Sequence, residues 1–184
     1  MNKYYLSPDE TALLLIDFQE KLAPAMSNHE ELEKPIKLLL GLAKAFKLPV
    51  YITEQYPKGL GHSLAYIKES LDECQYKLWD KTCFNALSSE LLENLREKNI
   101  KTVIVAGIEA HICVYQTVRD LLQKSFNIHL AADAVGSRDP RNKKNALKLL
   151  AQQGAVVSNT ETIAYDLLKD ARHESFKEIS ELVK

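Results

Sequence analysis

An α/β fold, with a mostly parallel sheet and helices on both faces, is what this sequence predicts. Two observations carry that prediction. Short apolar runs of β type alternate along the chain with longer segments whose apolar residues recur at helical spacing. Only 6 Gly and 6 Pro among 184 residues leave little room for disordered linkers, repeat arrays or a tethered second domain. A chain of this length buries roughly 70% of the surface its unfolded form exposes, enough for a core without disulfides or structural metal.

The first run, Leu13 to Ile16, stops at Asp17. Ile36, Leu39, Leu40 and Ala43 then recur at i, i+3, i+4, i+7, one face of an amphipathic helix. Pro49 to Thr53 reads as a strand, with proline tolerable at its first position. Glu54 to Ser63 carries Pro57, Gly59 and Gly61 and is expected to be the longest functional loop. Tyr76 to Trp79 is a weaker strand, followed by a helix over Leu87 to Glu97 with Leu91, Leu92 and Leu95 on one face. Thr102 to Ala106 is the best strand pattern and is expected to end at Gly107. Val114, Val118, Leu121 and Leu122 mark the next helix. Asn127 to Ala132 and Ala155 to Ser158 read as strands on either side of a helix near Asn142 to Gln152, whose end Gly154 marks. Two closing helices run through Ile163 and Leu167 and through Phe176, Ile179, Leu182 and Val183.

Charge excludes some partners. With 24 Lys and Arg against 25 Asp and Glu, the net charge is −1, and no basic stripe is interleaved with aromatics. Nucleic acid and anionic membranes are therefore not expected partners. No apolar run approaches the roughly 18 residues of a membrane span. The opening MNKYYLSPDE lacks the apolar segment of a secretory signal, and three cysteines without CxxC spacing fit reduced thiols, so a cytoplasmic location is expected. The five histidines show no metal-type spacing, and GxGxxG, GxxxxGK[ST] and GxSxG are absent.

In open parallel sheets, ligands bind outside the carboxyl ends of the strands. Three polar residues sit there: Asp17, Lys81 and Cys113. Cys113 falls where the pattern turns from strand to helix, and a helix N-terminus stabilises a thiolate. A free thiol with a pKa near 8.5 is only about 3% ionised at pH 7, so a drop to about 6.5 makes thiolate the major species. The alternative is a buried structural cysteine. Asp17 reads either as a cap or as a general base in a partly desolvated crevice. Lys81 reads as a surface charge or as a fixed cation beside the other two. A Cys113–His111 pair is a further alternative.

Leu15-Ile16-Asp17-Phe18-Gln19, Lys81-Thr82-Cys83-Phe84 and the run from Val105 to Val114 together resemble the isochorismatase-like cysteine hydrolase superfamily. Thr53 to Gly61 brings the likeness nearest to the isochorismatase-domain subgroup. The resemblance implies one domain over residues 1–184, a three-layer α/β/α sandwich with a six-stranded, mostly parallel sheet, and a catalytic triad of Asp17, Lys81 and Cys113. It also implies a cis peptide between Ile108 and Glu109, with the Glu109 and Cys113 N–H groups facing the oxyanion. Nicotinamidases of this superfamily hold a metal through an aspartate and two histidines after the second strand. Here Glu54 and Gln55 stand in that segment, so no metal and no cofactor are expected. Gln19, Glu54, Gln55, Tyr56 and Trp79 are expected to line the substrate pocket.

The activity implied is hydrolysis of a small C–N compound, an amide, carbamoyl or imide, through a thioester. A small-molecule substrate and a homo-oligomer are the expected partners, the C-terminal helix being one candidate contact surface. The alternatives are a scaffold that keeps the fold without turnover and a redox sensor built on Cys113 with Cys83 approaching in space.

Overall fold

The computed structural model describes residues 3–184. Six strands, β1 (Thr11–Ile16), β2 (Val50–Gln55), β3 (Tyr76–Lys81), β4 (Thr102–Ile108), β5 (Asn127–Gly136) and β6 (Val156–Ser158), form one sheet in the order β3-β2-β1-β4-β5-β6. Every neighbouring pair is parallel. Central strands buried on both faces need apolar side chains at every position, and β1 and β4 are buried throughout. Leu13 and Leu15 face one apolar cluster with α1 (Glu33–Ala45), α7 (Thr160–Leu168) and α8 (Phe176–Val183). Ala12, Leu14 and Ile16 face the other, with α4 (Ser89–Glu97), α5 (Tyr115–Gln123) and α6 (Pro140–Gln152). Two short helices, α2 (Pro57–Leu60) and α3 (Ala65–Ser70), lie between β2 and β3.

Helix starts follow local chemistry. Ser88 accepts from Leu91 N–H, Asp139 from Arg141 N–H and Asn159 from Thr162 N–H, each capping a helix that follows. The last helix, expected as a contact surface, buries Ile179 against α1. It approaches so closely that a Cβ on Gly41 would lie 2.3 Å from Leu182. Packing within the chain therefore accounts for its apolar stripe.

Four strands run past their expected ends. Gly107 lies inside β4 because Ile16 presses on it: a Cβ there would stand 2.6 Å from the Ile16 Cβ. β5 continues four residues past Ala132, with a register shift opposite Val105 to Gly107. The polar Asp133 interrupts its apolar pattern because its carboxylate caps α7, accepting from Thr160 N–H and Oγ. β2 and β3 each run on to take in Gln55 and Lys81 as their last residues. The sheet order reverses between β1 and β4, which places the crevice described for such folds outside Ile16 and Ile108. No helix among the described residues is long and apolar enough to cross a membrane.

Candidate active site

Asp17 leaves β1 in the left-handed region, at φ 58°, a conformation aspartate tolerates better than most residues. Its N–H donates to the Thr53 carbonyl at 3.0 Å. The side chain is fully buried. Oδ1 accepts from Thr53 Oγ1 at 2.8 Å, and Oδ2 accepts from Lys81 Nζ at 2.6 Å. Burial raises the Asp17 carboxyl above its ordinary range, and the Lys81 charge with the bonds from Lys81 and Thr53 recovers only part of that.

Lys81 reaches Asp17 from two strands away because β2 ends beside both. Its Nζ also donates to Gln55 Oε1 at 2.7 Å and to the carbonyls of Cys83 and Phe84, each at 3.3 Å. Gln55 in turn donates from Nε2 to the Thr82 carbonyl. An ammonium with its donors taken up this way has little freedom to move, and its side chain is only 8% exposed.

Cys113 sits in a π-helical turn, Ala110–Val114, between β4 and α5. Such widened turns recur at functional sites. The Ile112 and Val114 N–H groups both donate to the Glu109 carbonyl. Thr117 Oγ1 donates to the Cys113 carbonyl and accepts from Ala86 N–H, fixing the turn from behind. The Ile108–Glu109 peptide is cis.

The thiol does not behave as the helix-dipole argument expects. Burial pushes it up to about 12; the Asp17 charge adds to that, as does the hydrogen bond that the thiol donates to Asp17. The Lys81 charge and the Glu109 N–H act in the other direction and are outweighed. The thiol is therefore protonated at rest and directs its hydrogen at Asp17. Burial of the sulfur, with the Asp17 charge second, outweighs the partial charge of a helix terminus.

His111 does not pair with Cys113: its Nδ1 lies 3.1 Å from Ser137 Oγ and its Nε2 3.4 Å from Asn142 Nδ2. Cys83 is exposed and directs its thiol to the Asn85 carbonyl, away from a partnership with Cys113.

Of the expected pocket residues, only Gln55 lines the cleft beside Cys113. Gln19 is fully buried and ties the following loop, accepting from Gln55 N–H and donating to the Gln55 and Gly61 carbonyls. Glu54 points to the opposite side of the sheet from Gln55, as strand alternation requires. Its carboxylate accepts from Ser63 N–H and Oγ and lies 2.9 Å from His62 Nδ1. Burial raises that carboxyl, and the Ser63 and His62 bonds more than reverse it. Tyr56 is more than half exposed and turns outward at φ 39°. Trp79 stacks on Tyr51 with ring centroids 5.7 Å apart, two residues short of the strand end where Lys81 stands.

Thr53, Thr117 and Arg138 are the site residues that sequence reasoning missed. Arg138 donates from Nε to both Glu109 carboxylate oxygens, at 3.0 and 3.1 Å, and from its N–H to one of them. It lies just past the carboxyl end of β5, so the strand-end rule would have found it had β5 been read to its full length.

The cleft encloses about 380 Å³ including its open mouth, between Leu22, Leu60, Phe84 and Ile112. Among the described residues no group of three or more His, Cys, Asp and Glu side chains is placed to hold a metal ion.

A doubly wound parallel sheet with a thiol, a carboxylate and an ammonium gathered at its carboxyl edge is the frame of an isochorismatase-like α/β hydrolase. The chain belongs to that family: residues 11–162 match the isochorismatase domain. It is 36% identical over 177 residues to isochorismatase family protein 1A of Dictyostelium discoideum, covering 95% of this chain and 86% of that one. Among solved structures it is similar to the MAR1 ribonuclease of Caenorhabditis elegans, with TM-score 0.93 and 35% identity over 97% of this chain and 92% of that one. It shares its fold with the YcaC gene product of Escherichia coli, described as an octameric hydrolase of unknown specificity. There the TM-score is 0.88 and the identity 22%, over 97% and 88% of the two chains.

Proposed function

We propose that this protein is a cysteine hydrolase, independent of metal, that cleaves a small C–N substrate through Cys113, Asp17 and Lys81. The observation that carries the proposal is the Cys113 thiol hydrogen-bonded to the buried Asp17 side chain, which Lys81 holds at 2.6 Å. As Sγ attacks the carbonyl carbon, its proton passes to Asp17 and the carbonyl π electrons move onto oxygen. The Glu109 N–H, already directed at the sulfur, and the Cys113 N–H serve the oxyanion, each donor contributing on the order of 3 kcal/mol in such sites. Collapse breaks the C–N bond, and Asp17 returns its proton to the departing amine. The thioester remains on Cys113. Asp17 then takes a proton from water as the water attacks, and the acid leaves as the thiol is restored. Lys81 stays charged throughout and keeps Asp17 in place.

Ribonuclease activity, which the name of the nematode protein carries, is disfavoured here by the charges at the cleft. Among the described residues the pocket lining holds no Lys or Arg to meet a phosphate, and its one acidic residue is Glu109. The homo-oligomer reading is carried over from the octameric YcaC neighbour.

The test is ammonia release from a panel of small amides across pH, with RNA degradation run in parallel. The active form needs Asp17 ionised and the thiol protonated. Activity is expected to fall on the acid side at a pH above the usual carboxylate value of about 4, because the Asp17 pKa is raised. It should then stay level past about pH 9, because the thiol titrates near 12. A profile that rises through a single inflection near 8.5, the ordinary thiol value of roughly that size, would mean a free thiolate and no base. RNA cleavage without ammonia release would replace the reading altogether.

Gln55 is a positioning residue in this scheme. As a neutral amide it accepts from Lys81 without competing for the charge that Asp17 needs. Gln55→Glu is expected to move the acid limb to higher pH, since a second carboxylate beside Asp17 disfavours its ionised form. Gln55→Leu should lower kcat about tenfold and leave the limb where it is. An unchanged pH profile in Gln55→Glu argues against the assignment.

A further inference from the structure

Resting on the hydrolase reading above, we infer that the pocket selects small uncharged amides with an apolar acyl group, a short aliphatic chain or a single aromatic ring, and turns away carboxylates. The walls are Leu22, Leu60, Phe84 and Ile112, and the cavity proper, about 120 Å³, falls below the range of about 300–1,000 Å³ typical of ligand pockets, so only a small molecule fits.

Charge is cancelled wherever it occurs nearby. Asp17 is matched by Lys81, and Glu109, the acidic residue lining the cleft, is matched by Arg138. Neither cation lines the cleft. Lys81 Nζ faces Asp17, Gln55 and two backbone carbonyls, and Arg138, which binds Glu109 through Nε and leaves its Nη groups to solvent, is not among the residues that line the cleft. Gln55, the remaining polar residue of the wall, accepts from Lys81 and donates one Nε2 hydrogen to the Thr82 carbonyl, so it offers a neutral donor and no charge. A substrate carboxylate entering this cleft would lose its water and meet the Glu109 carboxylate and no cation among the residues that line it. What is left for recognition is shape, apolar contact and the backbone N–H groups beside the sulfur, a combination that suits an uncharged amide.

Two of the thiols supply an internal control, because Cys83 is open to solvent and Cys113 lies at the base of the cleft. Iodoacetamide and iodoacetate differ chiefly in charge. With each site mapped by mass spectrometry, the rate ratio of neutral to anionic reagent at Cys113 is expected to exceed the ratio at Cys83 at least tenfold. In ammonia release, pentanamide should be turned over at least tenfold faster than succinamate, and benzamide faster than 4-carbamoylbenzoate by a similar factor. Phe84 is half-exposed at the mouth, so Phe84→Lys is a fold-safe way to add one cation. It should bring the two cysteines' ratios within about threefold of each other.

Equal ratios at Cys113 and Cys83 in the unaltered protein, or succinamate turned over as fast as pentanamide, would overturn the inference. If no amide releases ammonia while the tenfold preference at Cys113 persists, the hydrolase reading fails and the charge exclusion stands.

Discussion

Cys113→Ala is expected to reduce ammonia release from a small amide by at least about a thousandfold, since removing a nucleophile stops the covalent route altogether. The fold should survive. The side chain is small and buried among Val114, Ala110 and the α4–α5 cluster, and trimming it to alanine costs about 1 kcal/mol. Denaturant unfolding followed by circular dichroism checks the second half of the statement. Cys74→Ala, which removes a half-buried thiol on the far side of the sheet among the α1 residues, provides the comparison and should retain turnover. Equal activity in the two variants would remove Cys113 from the mechanism.

The second large effect concerns Lys81. Its ammonium is the charge that balances the buried Asp17 carboxylate. Lys81→Met is expected to abolish turnover and to lower stability at neutral pH by about 3–5 kcal/mol, the usual consequence of stranding one member of a buried pair. The penalty has a definite pH dependence. Asp17 already has a raised pKa in the folded protein, and loss of the Lys81 charge raises it further. The folded variant then holds a proton that the unfolded chain has released. Its stability is therefore full below the unfolded-state value of about 4 and is lost as pH rises through the folded value. Asp17→Asn introduced into Lys81→Met should restore much of the loss, with a coupling of about 1–3 kcal/mol in a double-mutant cycle. Additive effects of the two substitutions, or a penalty that grows on acidification, would contradict the pairing.

The alternation of apolar runs with helical spacing was enough to locate all six strands, and the rule that ligands bind at strand carboxyl ends picked out Asp17, Lys81 and Cys113. What the residues could not express was the approach of one strand end to another. The Cys113 pKa turns first on burial of the sulfur and then on Asp17 beside it, a contact between residues 96 positions apart, so local helix-dipole reasoning points the wrong way. Gln19 and Glu54 were expected in the pocket because they belong to the motifs that carry the resemblance. Both are instead consumed in holding the loop from Gln55 to Ser63, through backbone groups that carry no signal in sequence. Arg138 was hidden by Asp133, whose polar side chain broke the β5 pattern for a reason that lies in α7. The short helix α3 was missed because it buries a single apolar residue, Ile67, too few to show a period.

Acylation of Cys113 is the step on which the proposed chemistry stands. Rapid acid quench of the protein during turnover of a small uncharged amide, followed by intact-mass and peptide analysis, tests it most directly. The expected result is a mass gain equal to the acyl group, confined to the peptide that contains Cys113 and absent from Cys113→Ala. Ammonia released with no acyl group on that peptide, and at an unchanged rate in Cys113→Ala, would contradict it.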